Sequence, residues 1–171
     1  HTGVTGAQGA TGAQGFQGHE GQFGGASFYF KFKEETNVTD PSSGYLMLNN
    51  TSQNNASKLM IDYNDICGNN ISNYLRTIDD STSTLKGHFK LSNYIEYGKF
   101  VLYTIDSLTE HNNSNGSYFE IGISNVSSSL PTSFANDEQV FITFARTGDK
   151  GDQGSQGATG AQGATGAQGA T

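Results

Sequence analysis

The sequence predicts a mainly β fold, a seven-strand antiparallel sandwich or small barrel with one short helix, inserted between two glycine-triplet segments and assembled as a homotrimer. Three observations carry that prediction. Glycine recurs at every third position at both ends of the chain. Alternating apolar segments, separated by Asn, Ser, Gly and Pro clusters, fill the middle. A single stretch breaks the alternation with a helical period.

The triplets come first in the chain. Glycine occupies positions Gly3, Gly6, Gly9, Gly12, Gly15, Gly18, Gly21 and Gly24, and again Gly148, Gly151, Gly154, Gly157, Gly160, Gly163, Gly166 and Gly169. Glycine makes up roughly 7% of ordinary sequences, so such a register needs a steric cause. Three polyproline-II-like chains wound about one axis supply it, because only a hydrogen atom fits where every third residue meets that axis. A flexible Gly-rich linker has no reason to keep the register. Residues 1–24 and 148–171 therefore read as collagen-like triple helix. Neither run contains proline: Pro41 and Pro131 both lie in the middle, and Ala, Thr and Gln fill the outer triplet positions. That points to a bacterial or viral maker rather than to animal tissue. Each extended residue costs roughly 1–2 kcal/mol of backbone entropy, so arms this short and proline-poor are expected to be marginal alone. Lys150 and Asp152 are spaced to form an inter-chain ion pair, which at about 0.2–1 kcal/mol assists the register without carrying it. The main hold on three chains is expected from the middle domain.

That domain spans residues 25–147. It begins where Gly25 falls out of step and Ser27 takes the next expected glycine place. In "SFYFKFK", Phe28, Phe30 and Phe32 share one face and Tyr29, Lys31 and Lys33 the other, which is a half-buried strand. "GYLMLN" and "KLMIDY" follow as strands. In "NISNYLRTI", Ile71, Tyr74, Leu75 and Ile78 fall at i, i+3, i+4 and i+7, with Asn70 placed to cap the first turn. A short helix is expected there, ending on Asp79-Asp80, which suits the helix dipole badly. "LKGHFKLS" sends Leu85, Phe89 and Leu91 inward and Lys86, His88 and Lys90 toward water. "KFVLYTID" and "SYFEIGIS" flank "HNNSNGS", whose Asn115-Gly116 pair favours a hairpin. "EQVFITFA" closes the domain.

Composition excludes several classes. The formal charge is −7, which argues against a nucleic-acid partner. One cysteine, Cys67, permits no intrachain disulfide and reads as a small buried hydrophobe. No apolar run is long enough to span a membrane. The chain does not start with methionine and both ends stop inside a repeat, so it reads as an excerpt of a longer polypeptide. The sequons at Asn37, Asn50, Asn55 and Asn125 arise from an Asn/Ser-rich composition, and N-glycans are not expected.

The segments "DDSTSTLKGHFKLS", "GSYFEIGIS" and "VFITFARTGDKGDQG" carry a resemblance. They are similar to a domain of tail-fibre and collagen-like proteins of tailed bacteriophages, in which a β-rich module leads through "FARTGDKGD" directly into collagen triplets. The resemblance covers most of residues 28–154. It implies a fibre of three identical chains on a virion surface or in the extracellular space, spacing and mediating host attachment. The same architecture admits a bacterial collagen-like surface or matrix filament. The partners expected are two further copies of the chain and a host-surface glycan or protein.

Chemistry is sparse. His1, His19, His88 and His111 have no metal-ligand spacing, no cofactor is expected, and Asp62, Asn64 and Asp65 in "DYNDICGN" read as a polar turn rather than a calcium loop. A stalked carbohydrate-active enzyme would need two carboxylates about a cleft, for which Asp79, Asp80, Glu96 and Glu110 are the candidates; solvated loop acids are the stronger reading, and no enzyme is expected. Recognition is expected on the loops 50–57 and 111–117.

Overall fold

The computed structural model describes residues 25–114 and 116–148. Triplet glycines 3 to 24 and 151 to 169, with Lys150, Asp152, His1 and His19, lie outside the described residues. Gly148 lies within them. Seven strands form a closed barrel: β1 (Ala26–Lys33), β2 (Tyr45–Leu48), β3 (Lys58–Asp62), β4 (Gly87–Asn93), β5 (Phe100–Asn113), β6 (Gly116–Ser128) and β7 (Gln139–Arg146). One helix, α1 (Ser72–Asp79), and one 3-10 turn, Gln53–Asn55, complete it.

Around the barrel the order is β1-β2-β3-β6-β5-β4-β7, and β7 returns to β1. A ring of seven strands cannot be antiparallel throughout, because alternating directions close only on an even number. The odd seam is β1–β2, which pairs parallel from Lys31–Tyr45 to Lys33–Met47. Every other seam is antiparallel. The parallel seam obliges the 34–44 connection to carry the chain back along the barrel before β2 starts. Near the β5–β6 hairpin that connection reaches Gly116, where an added Cβ would strike the Asp40 carboxylate.

The barrel interior is filled, as expected when few strands leave room only for side chains. Phe30, Phe32, Phe89, Phe119, Phe134, Phe144 and Tyr103 are its largest buried side chains. The alternation read from β1 holds: Phe30 and Phe32 are buried, and Phe28 packs half-buried against the same cluster. β2 and β3 behave differently. Leu46, Leu48, Leu59 and Ile61 face inward, yet Met47 and Met60 on the outer face are also fully buried and cluster with Tyr118. Strands covered on both sides read as unbroken apolar runs, which is what "YLML" is.

Strand directions define two ends. At the base, β1 and β4 start and β7 finishes. At the apex, β1, β2 and β4 finish and β7 starts. Helix α1 belongs to the base. Its Leu75 and Ile78 are buried, and Tyr74 meets Phe28 edge-on with ring centres 5.1 Å apart. Asn70 is not the cap expected: Ile71 holds the N-cap position without a side-chain bond, and Asn70 Oδ1 accepts from Ser72 N–H at 3.0 Å in the turn that leads into the helix. At the other end of α1, Lys86 answers the unfavourable Asp79-Asp80 pair by donating from Nζ to the carbonyls of Asp79, at 3.1 Å, and Ser81. Lys86 is therefore half-buried, not directed at water.

Both ends of the domain leave the base from neighbouring strands, since Ala26 pairs with Phe144. Gly25 lies so close to this seam that a Cβ there would stand 2.6 Å from the Phe144 carbonyl oxygen. The glycine that breaks the triplet register is thus required by the barrel. After β7, Thr147 N–H donates to Lys86 O at 3.0 Å, and Gly148 O accepts from Ser81 Oγ at 3.4 Å.

Candidate functional site

The apex carries a recess. Loop 49–57 leaves β2 there, and connection 129–138 arrives there from β6. Gln53 joins them. Its residue is 2% exposed, its Nε2 donates to Phe134 O at 2.6 Å, and its Oε1 accepts from the N–H groups of Ser133 at 2.7 Å and Phe134 at 2.9 Å. From below, the Tyr103 hydroxyl donates to Gln53 O, and burial pushes that phenol well above its ordinary value. Asn54 N–H to Pro131 O and Thr132 Oγ1 to Thr51 O add two further ties. A buried amide with every hydrogen-bonding atom matched fixes loop position far better than a solvated one.

These tied loops enclose a cleft of about 430 Å³. Its floor is apolar, from Phe32 and Leu48, and its rim is Asn50, Thr51, Ser52, Thr132 and Glu34. Asn50 Oδ1 accepts from Ser52 N–H at 2.9 Å, and Ser52 Oγ donates to Asn54 Oδ1 at 3.2 Å, so the rim amides and hydroxyls are oriented before any ligand arrives. Amides, hydroxyls and one carboxylate over an apolar floor suit a polyhydroxylated or peptide ligand.

A second recess, about 470 Å³, lies on the flank between connection 34–44 and the β5–β6 hairpin. Val38, Thr39, Asp40, His111, Asn113 and Tyr118 line it. The His111 ring stacks on Tyr118 at 4.6 Å, and its Nε2 stands 3.3 Å from Glu120 Oε2. Glu120 is held below the usual carboxylate range chiefly by its hydrogen bond from Lys58. Both segments read from the sequence as loops border recesses, 50–57 at the apex and 111–117 on the flank, but the second is largely strand, with 111–113 in β5 and 116–117 in β6.

The remaining candidates fall elsewhere. Glu110 accepts from Arg76 Nε at 3.0 Å and from the Tyr63 hydroxyl, and these bonds hold its carboxyl down at about 2. Asp79 and Asp80 close α1 at the base, whereas Glu96 sits in the apical 94–99 loop, and none of the four acids lines either recess. Asp62 and Asp65 receive backbone N–H groups within their own turn, from Asn64, Cys67 and Asn69. Among the described residues no group of three His, Cys, Asp or Glu side chains is placed to hold a metal ion. No helix among them is long and apolar enough to cross a membrane. Cys67 is exposed, contrary to the buried hydrophobe expected, because that aspartate-built turn carries it on the surface. Gln53 was not legible: a glutamine in an Asn/Ser-rich loop carries no pattern that marks it as buried.

Comparison with protein-family models, curated proteins and solved structures finds no match for this chain. Function must therefore be read from its own residues.

Proposed function

We propose that the chain is a structural segment of a homotrimeric fibre on a phage virion, which spaces and mediates attachment to a host surface. The observation that carries this reading is the pair of in-register glycine runs attached directly to a small barrel. Three copies wind through their triplets, and the barrels hold the chains at high effective concentration, which sets a register that proline-poor arms alone do not secure. The apical cleft, at the end of the barrel opposite Ala26 and Arg146, takes a host-surface glycan or an extended peptide. Trimeric presentation multiplies a weak contact. A bacterial surface filament would use the same assembly, and it differs in what the distal parts of the fibre hold.

The test is the mass of the chain in solution together with its circular-dichroism melt. Three chains per particle and a polyproline-II signal lost on heating are expected. A single chain per particle overturns the reading. Adsorption of purified protein to host cells, competed by surface polysaccharide and abolished by Asn50→Ala with Thr132→Ala, tests the cleft.

A further inference from the structure

The outer face of the β1–β7 seam carries an aromatic cluster. Tyr29 of β1, Phe141 of β7 and Tyr94, just past β4, form a three-ring cluster with centres 5.0 to 5.3 Å apart, all outside the barrel. Ile95, 79% exposed, extends it, and a notch of about 240 Å³ lies beside it, lined by Asn93, Tyr94, Ile95, Gln139 and Glu138, whose carboxylate is paired with Lys99 at 2.6 Å. Toward the base the same face is small and neutral: Ser27 and Thr143 share a 2.7 Å hydrogen bond across the seam. The outward positions of β1, β7 and the adjoining β4 include Lys31, Lys33, His88 and Lys90 but no carboxylate, in a chain whose net charge is −7. Aromatic rings left uncovered together on a strand face are a contact surface in waiting.

We infer that this face is where a second and third copy of the chain pack, so that Tyr29, Phe141, Tyr94 and Ile95 form the contact between barrels of one trimer. The inference rests on the three-chain reading above and adds its geometry. A triple helix leaves no room at its axis beyond a hydrogen atom, so on the three-chain reading the copies converge where the barrel begins, at Gly25, and where it ends, at Gly148. Gly25 follows one run directly, and Arg146 is two residues from the other. Of all parts of the barrel, β1 and β7 are therefore held nearest the shared axis, and their outer sides turn toward neighbouring copies.

The experiment uses the full chain with Cys67→Ser and one new thiol, Ile95→Cys, whose maleimide labelling is timed while the assembly mass is measured. Labelling at least about tenfold slower in the trimer than in urea is expected, as for a site that opens only when the contact opens. Phe141→Glu, which would place three carboxylates at the contact, is expected to shift the mass from three chains to one while the near-ultraviolet dichroism of the barrel persists. If the parent is a trimer and the Ile95→Cys thiol labels as fast as in urea, this face is not the contact and the inference falls while the three-chain reading stands. If the parent is a single chain, both fall. Should Phe141→Glu fail to fold, the labelling result alone decides.

Discussion

Gln53 holds Phe134 through both atoms of its carboxamide, donating to the Phe134 carbonyl at 2.6 Å and accepting the Phe134 N–H at 2.9 Å. One side chain thereby closes a backbone segment as a neighbouring strand would, in a place where no strand runs.

Gln53→Ala leaves the Phe134 carbonyl and the N–H groups of Ser133 and Phe134 buried without partners, at about 1–3 kcal/mol for each group that water does not reach. A loss of about 2–4 kcal/mol in urea unfolding is expected. Cell adsorption should weaken with it, because the rim of the apical cleft loses its anchor. A variant with unchanged unfolding would mean that the loops are held by other means.

Phe144 contacts Phe28, Tyr74 and Phe89 and is fully buried. Phe144→Ala should cost about 3–5 kcal/mol, through lost transfer energy and the cavity left behind. Val126, 53% exposed, offers the contrast: Val126→Thr should stay within about 0.5 kcal/mol. Paired thermal melts measure both.

Arg76, Glu110 and Tyr63 make stability depend on pH at two limits. Glu110 is lowered from 4.5 to about 2, first by the Arg76 hydrogen bond and then by Tyr63. Its folded value lies below its unfolded one, so its stabilising effect is present above pH 4.5 and is lost as pH falls toward 2. Tyr63 is pushed up from 10.0 to about 12 by burial and by its bond to Glu110, so its effect is present below pH 10.0 and is lost as pH rises toward 12. Glu110→Gln should flatten the acid limb of a plot of urea midpoint against pH and reduce the alkaline limb only in part, because burial, the larger cause of the raised Tyr63 value, remains. Glu120, also lowered, leaves some acid dependence in place. Identical plots for the two proteins would refute the assignment.

Gly25 offers a local test of the barrel's demand for glycine. Gly25→Ala puts a methyl group against the Phe144 carbonyl and should cost about 1–3 kcal/mol in the barrel melt. On the three-chain reading, Gly163→Ser should lower only a polyproline-II melt and leave the barrel transition where it was.

The strands were legible because their alternation is local. Phe28, Phe30 and Phe32 announce β1 without reference to anything else, and Ile71, Leu75 and Ile78 announce α1. Closure was not legible. Whether seven strands make a sandwich or a ring depends on seams such as β3 with β6 and β4 with β7, whose partners lie far apart in sequence and carry no mutual signal. The parallel seam follows from closure by parity alone. Met47 and Met60 show the same limit from another side: their burial comes from what covers the outside of the barrel, which strand periodicity does not encode. The cleft was half legible, as a polar loop at 50–57, while the residue that builds it was hidden among its like.

The β1–β7 seam, six registered pairs from Ala26–Phe144 to Lys31–Gln139, also has a mechanical consequence. The chain enters β1 and leaves β7 at the same end of two antiparallel neighbours, so tension that draws Ala26 away from Phe144 loads that rung first and passes to the next only when it breaks. A ladder pulled this way unzips, whereas one pulled from opposite ends shears, with all rungs resisting together. In a fibre of the kind proposed, this seam is the part of the barrel that yields first under such a pull.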